Sequence, residues 1–189
     1  MSDPAPASTE SEIKVPVPDL APVRRRVISA GGCLRARRHR ERNTLFDDAA
    51  ESLAARGCAL RLRETAETAR LTWKGPAETR GGIKNRVEIE TDVSDPGAAR
   101  RILESLGYRP TFRYEKFREE LALGSCVVSL DETPIGDFVE VEGPPASIPK
   151  VVAAIGLDSS SAVPLSYPAL YRDARALDPR LPEDMLLPE

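Results

Sequence analysis

A chain of 189 residues that is 41% hydrophobic and 30% charged suits one domain with short tails and must place many charges around its core. Its 27 basic and 30 acidic residues leave a net charge of −3, which argues against a general nucleic-acid binder. No apolar run approaches a membrane span, the first residues lack the basic-then-apolar order of a signal peptide, and three widely spaced cysteines (Cys33, Cys58, Cys126) form neither a CxxC pair nor a disulfide framework. These features set the expectation of a soluble, cytoplasmic protein with reduced thiols and no nucleic-acid or membrane partner. The lone histidine, His39, lies among arginines. It excludes multi-histidine metal sites and leaves carboxylates and other bases to carry any chemistry.

In chain order, residues 1–9 (MSDPAPAST) are small, polar and proline-bearing and read as a disordered lead. A strand over 10–17 follows, then a helix capped by Asp19 and ended by Gly31-Gly32. An arginine-rich extended segment over 33–46 leads to a short helix opened by Asp47-Asp48 and closed by Gly57. Alternation then marks strands over 59–64, 69–74 and 83–93, with Gly75-Pro76 and Gly81-Gly82 bracketing a loop. Asp95-Pro96 opens a helix to about 106. Strands over 111–123, 126–131 and 137–142 precede two helices, 149–157 and 167–176, and a loose Pro-rich tail. Consecutive strands with few helices indicate an antiparallel-rich α+β domain over 10–177, with a tail over 178–189.

Side chains alternate faces along a strand. Glu10, Glu12 and Lys14 therefore share one face, opposite Ile13, Val15 and Val17. The same test groups Arg61 with Arg63, Lys74 with Thr72, and Arg86 with Glu88 and Glu90. Tyr114, Lys116 and Arg118 align, as do Ser129 with Asp131 and Glu140 with Glu142. An ordinary solvated face interleaves its signs, whereas most of these strands carry one sign each. Like charges two residues apart lie within about 7 Å and repel, so each strand needs a counter-ion or ligand. Acidic strands suit a hard cation such as Mg²⁺, and basic strands suit a polyphosphate. Trp73, opposite Lys74, reads as core; Arg24-Arg25-Arg26 reads as a solvated helix face; Arg113 points away from Lys116; and Gly136-Asp137-Phe138 reads as the turn that sets the register of Glu140 and Glu142.

The motif Glu10-x-Glu12-x-Lys14 resembles the ExExK signature of CYTH domains, the triphosphate tunnel metalloenzymes, a family that includes class IV adenylate cyclases and thiamine triphosphatase-like proteins. The likeness continues through LFDDAAESLAARGCALRLRE (45–64), LTWKGP (71–76), NRVEIE (85–90), KFR (116–118), LDETPIGDFVEVEG (130–143) and SYPALY (166–171), in family order over about residues 10–175. It implies a closed or nearly closed antiparallel eight-stranded β-barrel, the triphosphate tunnel, with flanking helices. It further implies a triphosphate cradle of Lys14, Arg61, Arg63, Lys74, Arg86, Lys116 and Arg118, with Lys14, Lys74 and Arg118 in catalysis. Mg²⁺ or Mn²⁺ would fall to Glu10, Glu12, Asp131, Glu140 and Glu142, with Glu88 and Glu90 nearby. Two departures stand out: no HF pair precedes ExExK, as in many bacterial class IV cyclases, and the last lysine is Lys150, so the late lysine of animal-type thiamine triphosphatases has no counterpart.

The implied activity is metal-dependent hydrolysis of inorganic triphosphate or an organic triphosphate such as thiamine triphosphate. The alternatives are a class IV adenylate cyclase making cyclic AMP and pyrophosphate from ATP, and a non-catalytic polyphosphate-binding module. The partner expected is the small triphosphate substrate, on a monomer or homodimer.

Overall fold

The computed structural model describes residues 8–188. Eight strands close into one antiparallel barrel: β1 (Ser8–Val17), β2 (Cys33–Asp47), β3 (Ala59–Glu64), β4 (Ala69–Arg80), β5 (Ile83–Asp92), β6 (Arg109–Leu123), β7 (Cys126–Thr133) and β8 (Gly136–Glu142). The order around the barrel is β1-β5-β4-β3-β2-β6-β7-β8, and β8 pairs back onto β1. Five helices flank it: α1 (Leu20–Ser29), α2 (Ser52–Ala55), α3 (Pro96–Ser105), α4 (Ile148–Ala154) and α5 (Tyr167–Leu177). None is long and apolar enough to cross a membrane.

The apolar core lies outside the barrel wall. Ile13, Val15, Val128, Val139 and Val141 point outward and bury against Val23 and Val27 of α1 and Ile148 and Val152 of α4. A second cluster, Phe46, Leu62 and Leu103, sits under α3. Each fully buried aliphatic side chain contributes about 1.5–3 kcal/mol. Burial therefore fixes the register of every strand, because a one-residue slip would exchange the apolar outside for the charged inside. Local chemistry sets the ends of the elements. Asp19 caps α1 by accepting from the Ala21 amide at 2.8 Å. After α1 the chain turns so tightly that a Cβ on Gly32 would sit 2.8 Å from the Val27 carbonyl oxygen.

Several boundaries differ from the sequence reading, each for a visible reason. Of the lead over 1–9, residues 1–7 lie outside the described residues, whereas Ser8 and Thr9 extend β1 and pair with Glu88 and Val87. Residues 75–80 are strand, since a register shift between Lys74 and Ala77 absorbs Pro76. The turn is Gly81-Gly82 alone, with both φ positive as a two-residue hairpin requires. The segment after β2 turns only once into α2, because Asp47 accepts from the Asp48 and Leu53 amides through Oδ1 and from Ala54 through Oδ2. Trp73 is half-buried: it pairs between Leu60 and Ile89 on an outer face where Val87 and Ile89 are themselves exposed. Arg26 is no free surface group, as its Nε donates to the Ile155 carbonyl at 2.5 Å and ties α1 to α4. Gly136 to Phe138 already belong to β8; the turn is the pair before them.

The C-terminal tail is docked. β7 pairs with β6 only from Phe117 onward, so the edge of β6 near Tyr114 is open, and the tail fills it. Glu115 N donates to the Met185 carbonyl at 2.8 Å and Met185 N to the Arg113 carbonyl at 3.0 Å, with Met185 fully buried. Arg113 faces outward and pairs with Asp184 at 3.4 Å.

Candidate functional site

An eight-stranded barrel has an interior just wide enough to be filled by side chains. Here that filling is ionic. The cations and carboxylates singled out by strand parity point into the lumen, and Glu90 stands exposed at its rim. Lys14 lies 3.2 Å from Glu140 and donates to the Leu165 carbonyl at 2.9 Å. Arg63 pairs with Glu41 at 3.2 Å, and Arg61 approaches Glu90 at 3.9 Å. Lys74 bridges Glu10 at 3.2 Å and Glu88. Lys84 holds Glu12 at 2.8 Å. Arg86 is taken up by the carbonyls of Gly75 (2.5 Å) and Gly57 (2.9 Å).

Asp131 is the deepest group, with no exposed surface. Oδ1 accepts from Arg118 Nε at 2.7 Å; Oδ2 accepts from the second Arg118 nitrogen at 2.6 Å, Lys116 Nζ at 2.8 Å and the Tyr167 hydroxyl at 2.6 Å. Arg118 also binds Glu140. With both oxygens so engaged, Asp131 fixes where Lys116 and Arg118 point. Burial acts to raise the Glu140 carboxyl, but Arg118, Lys14 and Lys116 hold it well below the usual range.

Tyr167 enters the barrel from the N-terminus of α5 and stops one end. Its ring meets Phe138 edge-on at 5.5 Å and Tyr114 at 6.2 Å, while Phe112 stacks on Tyr114 at 6.0 Å. Lys14 Nζ lies 4.0 Å and Lys116 Nζ 4.8 Å from the centre of the Tyr167 ring. β8 runs from this plug at Phe138, through Glu140, to the exposed Glu142 at the far end.

That far end carries surplus negative charge. Glu12 is directly opposite Glu142 across the β1–β8 ladder, and no cation pairs with Glu142 among the described residues. Burial, and then Glu10 and Glu12, push the Glu142 carboxyl up, an effect that water at this exposed position softens. Glu88 is pushed up to about 8, by burial first and then by its hydrogen bond to Glu10 and the Glu10 charge. Glu10 is held at about 2: burial acts to raise it, but the Glu88 hydrogen bond and Lys74 prevail. The pair therefore shares one proton over a wide range.

A folded-state value raised from 4.5 to about 8 means that stability present below pH 4.5 is lost as pH rises towards 8. The metal-free protein is expected to lose at most about 1.4 kcal/mol per pH unit across that window. In Glu88→Gln the slope should flatten in urea titrations run from pH 5 to 9. An unchanged slope would separate Glu88 from the effect.

The donor chemistry suits a hard dication, which prefers carboxylate oxygens and relieves like-charge crowding of the kind at Glu12 and Glu142. Among the described residues no three of His, Cys, Asp and Glu yet converge as one ligand set. Lys74 and Lys84 occupy Glu10, Glu88 and Glu12 instead.

Strand parity did not single out Lys84, Glu41, Asn43 or Tyr167. Lys84 shares the face of Arg86 and Glu88 and was legible there. Glu41 and Asn43 were hidden in the arginine-rich run, whose pairing with β6 shifts register three times. They lie opposite Lys116 and Tyr114, respectively, and are each 2% exposed. Burial and Lys116, Arg118, His39 and Arg63 act on Glu41: the first raises its carboxyl, and the others together hold it well below the usual range. Glu41 Oε2, both amide atoms of Asn43 and Arg61 Nε have no hydrogen-bond partner among the described residues.

Solved structures share this architecture. A candidate adenylate cyclase from Vibrio parahaemolyticus superposes with TM-score 0.77 at 20% identity, covering 88% of this chain and 99% of that one. The PH1819 protein from Pyrococcus horikoshii gives 0.74 at 23% identity, with 88% and 99% covered. A candidate adenylyl cyclase from Hippeastrum, described as revealing a dominant triphosphatase activity, gives 0.66 at 18% identity, with 87% and 96% covered. No curated protein sequence matches the chain. The family model of the CYTH domain matches residues 8–154, and with the ExExK strand, the closed eight-stranded barrel and the charged lumen on one chain, this protein belongs to the CYTH domain family.

Proposed function

We propose that the protein is a metal-dependent triphosphatase acting on inorganic triphosphate or on an organic triphosphate such as thiamine triphosphate. The observation that carries this reading is the pairing of a cationic cradle with surplus carboxylates inside a barrel stopped at one end. Lys14, Arg61, Arg63, Lys74, Lys116 and Arg118 line one lumen, where a linear chain of phosphates can replace their carboxylate partners. Arg offers a bidentate fork and Lys a point charge, and both gain strength where water is excluded. The aromatic groups on the inner face, Phe112, Tyr114, Phe138 and Tyr167, pack on one another at the plugged end, so their faces are engaged with each other rather than offered to a base. That favours a substrate recognised through its phosphates over a cyclase substrate recognised through its nucleoside.

Glu10, Glu12, Glu140 and Glu142, with Glu88 beside them, would hold Mg²⁺ or Mn²⁺. Such an ion supplies charge neutralisation at phosphoryl oxygens and on the departing pyrophosphate. The protein's part is positional. Lys74 and Lys84 leave their carboxylates for the phosphates, and the carboxylates so freed are those a dication would use. Substrate and metal should therefore each strengthen binding of the other. Asp131 keeps Arg118 and Lys116 aimed at the charge that builds up as the phosphoryl group transfers.

The test is product analysis of the purified protein with tripolyphosphate, thiamine triphosphate and ATP in parallel, each with Mg²⁺ or Mn²⁺. Orthophosphate from either of the first two, with ATP spared, is the expected result. Cyclic AMP with pyrophosphate from ATP would make the protein a cyclase instead, and binding without turnover would make it a polyphosphate-binding module.

A further inference from the structure

The inner face of β2 holds a group of atoms that the ion pairs leave unexplained. Four of them, Glu41 Oε2, Asn43 Oδ1, Asn43 Nδ2 and Arg61 Nε, are buried and have no hydrogen-bond partner among the described residues. A buried polar atom without a partner costs about 1–3 kcal/mol, so several side by side call for something that answers them. They comprise two acceptors and two donors, the complement of one water molecule, which has two of each.

The four atoms come from neighbouring positions. Glu41 and Asn43 share a strand face two residues apart, within about 7 Å. Arg61 pairs with Leu45 and so stands diagonally across from Asn43, with its guanidinium beside Tyr114 and Glu41. β2 is four strands from β1 in either direction around the barrel, so this group faces Glu10, Glu12 and Lys14 across the lumen. The other Glu41 oxygen is committed to Arg63 at 3.2 Å, and Oε2 lies 3.6 Å from Lys116 Nζ, beyond hydrogen-bond reach.

We propose that Glu41, Asn43 and Arg61 seat the water molecule that attacks the terminal phosphorus of a bound triphosphate. This rests on the hydrolase reading above. In-line displacement needs the nucleophile and the leaving group on opposite sides of phosphorus, and a seat on β2 with the ExExK strand facing it meets that need. The water oxygen bonds to phosphorus while the bridging P–O bond breaks, its electron pair leaving with pyrophosphate. One proton of the water stays on the orthophosphate and the other ends on the pyrophosphate. Glu41, surrounded by Lys116, Arg118, Arg63 and His39, stays ionised: it orients the water by accepting a hydrogen bond and does not take its proton. Asn43 fixes the second proton and one lone pair; Arg61, which holds the other lone pair in the empty barrel, turns to the bound phosphates and so frees that pair for phosphorus.

Asn43→Leu keeps the volume and removes both polar atoms. It should lower kcat for the triphosphate that the wild type hydrolyses by roughly 100-fold with KM changed by less than about twofold. Asn43→Ser, which keeps a donor, an acceptor and room for water, should recover about tenfold of that loss. Glu41→Gln should also lower kcat, yet tighten binding of tripolyphosphate about fivefold, because it removes a negative charge beside Lys116 and Arg63. A merely structural role would not produce that split. Wild-type kcat in folded Asn43→Leu and Glu41→Gln would overturn the seat, and so would a loss carried wholly by KM. If Asn43→Leu does not fold, the Asn43→Ser and Glu41→Gln pair decides by the same criteria. A wild type that hydrolyses none of the triphosphates fails at the hydrolase reading itself, whereas an active wild type with indifferent variants fails only here.

Discussion

Arg118→Met is expected to lose both stability and turnover. Arg118 is 7% exposed, and its guanidinium satisfies Asp131, which has no surface at all, together with Glu140. Without it two buried carboxylates keep only Lys116, Lys14 and Tyr167, and breaking a buried pair from one side costs about 3–5 kcal/mol. Lys116 also loses the partner that shares its anchor, so the cradle becomes misaligned as well as one charge poorer. Turnover should fall by about 10³-fold, the scale of removing a preorganised electrostatic contact to a developing oxyanion. Arg118→Lys should regain part of the stability but little of the activity, since an ammonium cannot span Asp131 and Glu140 as a fork does. Urea unfolding alongside steady-state turnover would check this. An Arg118→Met protein with the wild-type midpoint and rate would remove Arg118 from the centre of the site.

Glu142→Gln separates the two properties. Glu142 faces Glu12 across the ladder without a cation of its own among the described residues, and burial together with Glu10 and Glu12 raises its carboxyl. Taking that charge away relieves repulsion, so the metal-free variant should be no less stable than the wild type. A dication held through these carboxylates would lose one oxygen donor, and the Mg²⁺ or Mn²⁺ concentration for half-maximal activity should rise by roughly 100-fold. Because a raised carboxyl must give up its proton to bind a cation, metal affinity of the wild type should climb as pH rises towards neutrality, and this dependence should weaken in the variant. A metal titration of turnover at two pH values reads both. An unchanged metal requirement would exclude Glu142 as a ligand.

Strand parity made most of this interior legible before any coordinates. Alternation is a local property of extended backbone, so the sequence alone determined that Glu10, Glu12 and Lys14 share a side, that Arg61 joins Arg63 and that Glu140 joins Glu142. The same alternation sent Ile13, Val139 and Val141 to the other side, which burial under α1 and α4 bears out. The ordered CYTH motifs carried the closed barrel that periodicity by itself does not prove.

Tertiary structure decided what each charge meets. Asp131 reads in sequence like the other acids, yet the meeting of β6, β7 and α5 gives it four hydrogen bonds from Arg118, Lys116 and Tyr167. Glu41 and Asn43 were masked because β2 shifts register three times against β6, and counting by two fails across each shift. The Pro-rich tail looked loose because its composition says nothing about the unpaired edge of β6 that it fills through Met185. Tyr167 lies on a helix whose periodicity gives no sign that the ring will stop the barrel and meet Lys14, some 150 residues earlier in the sequence. Which side of the sheet a residue faces follows from backbone geometry and is written in the chain. Which partner it finds there depends on strands distant in sequence, and only closure of the barrel sets that.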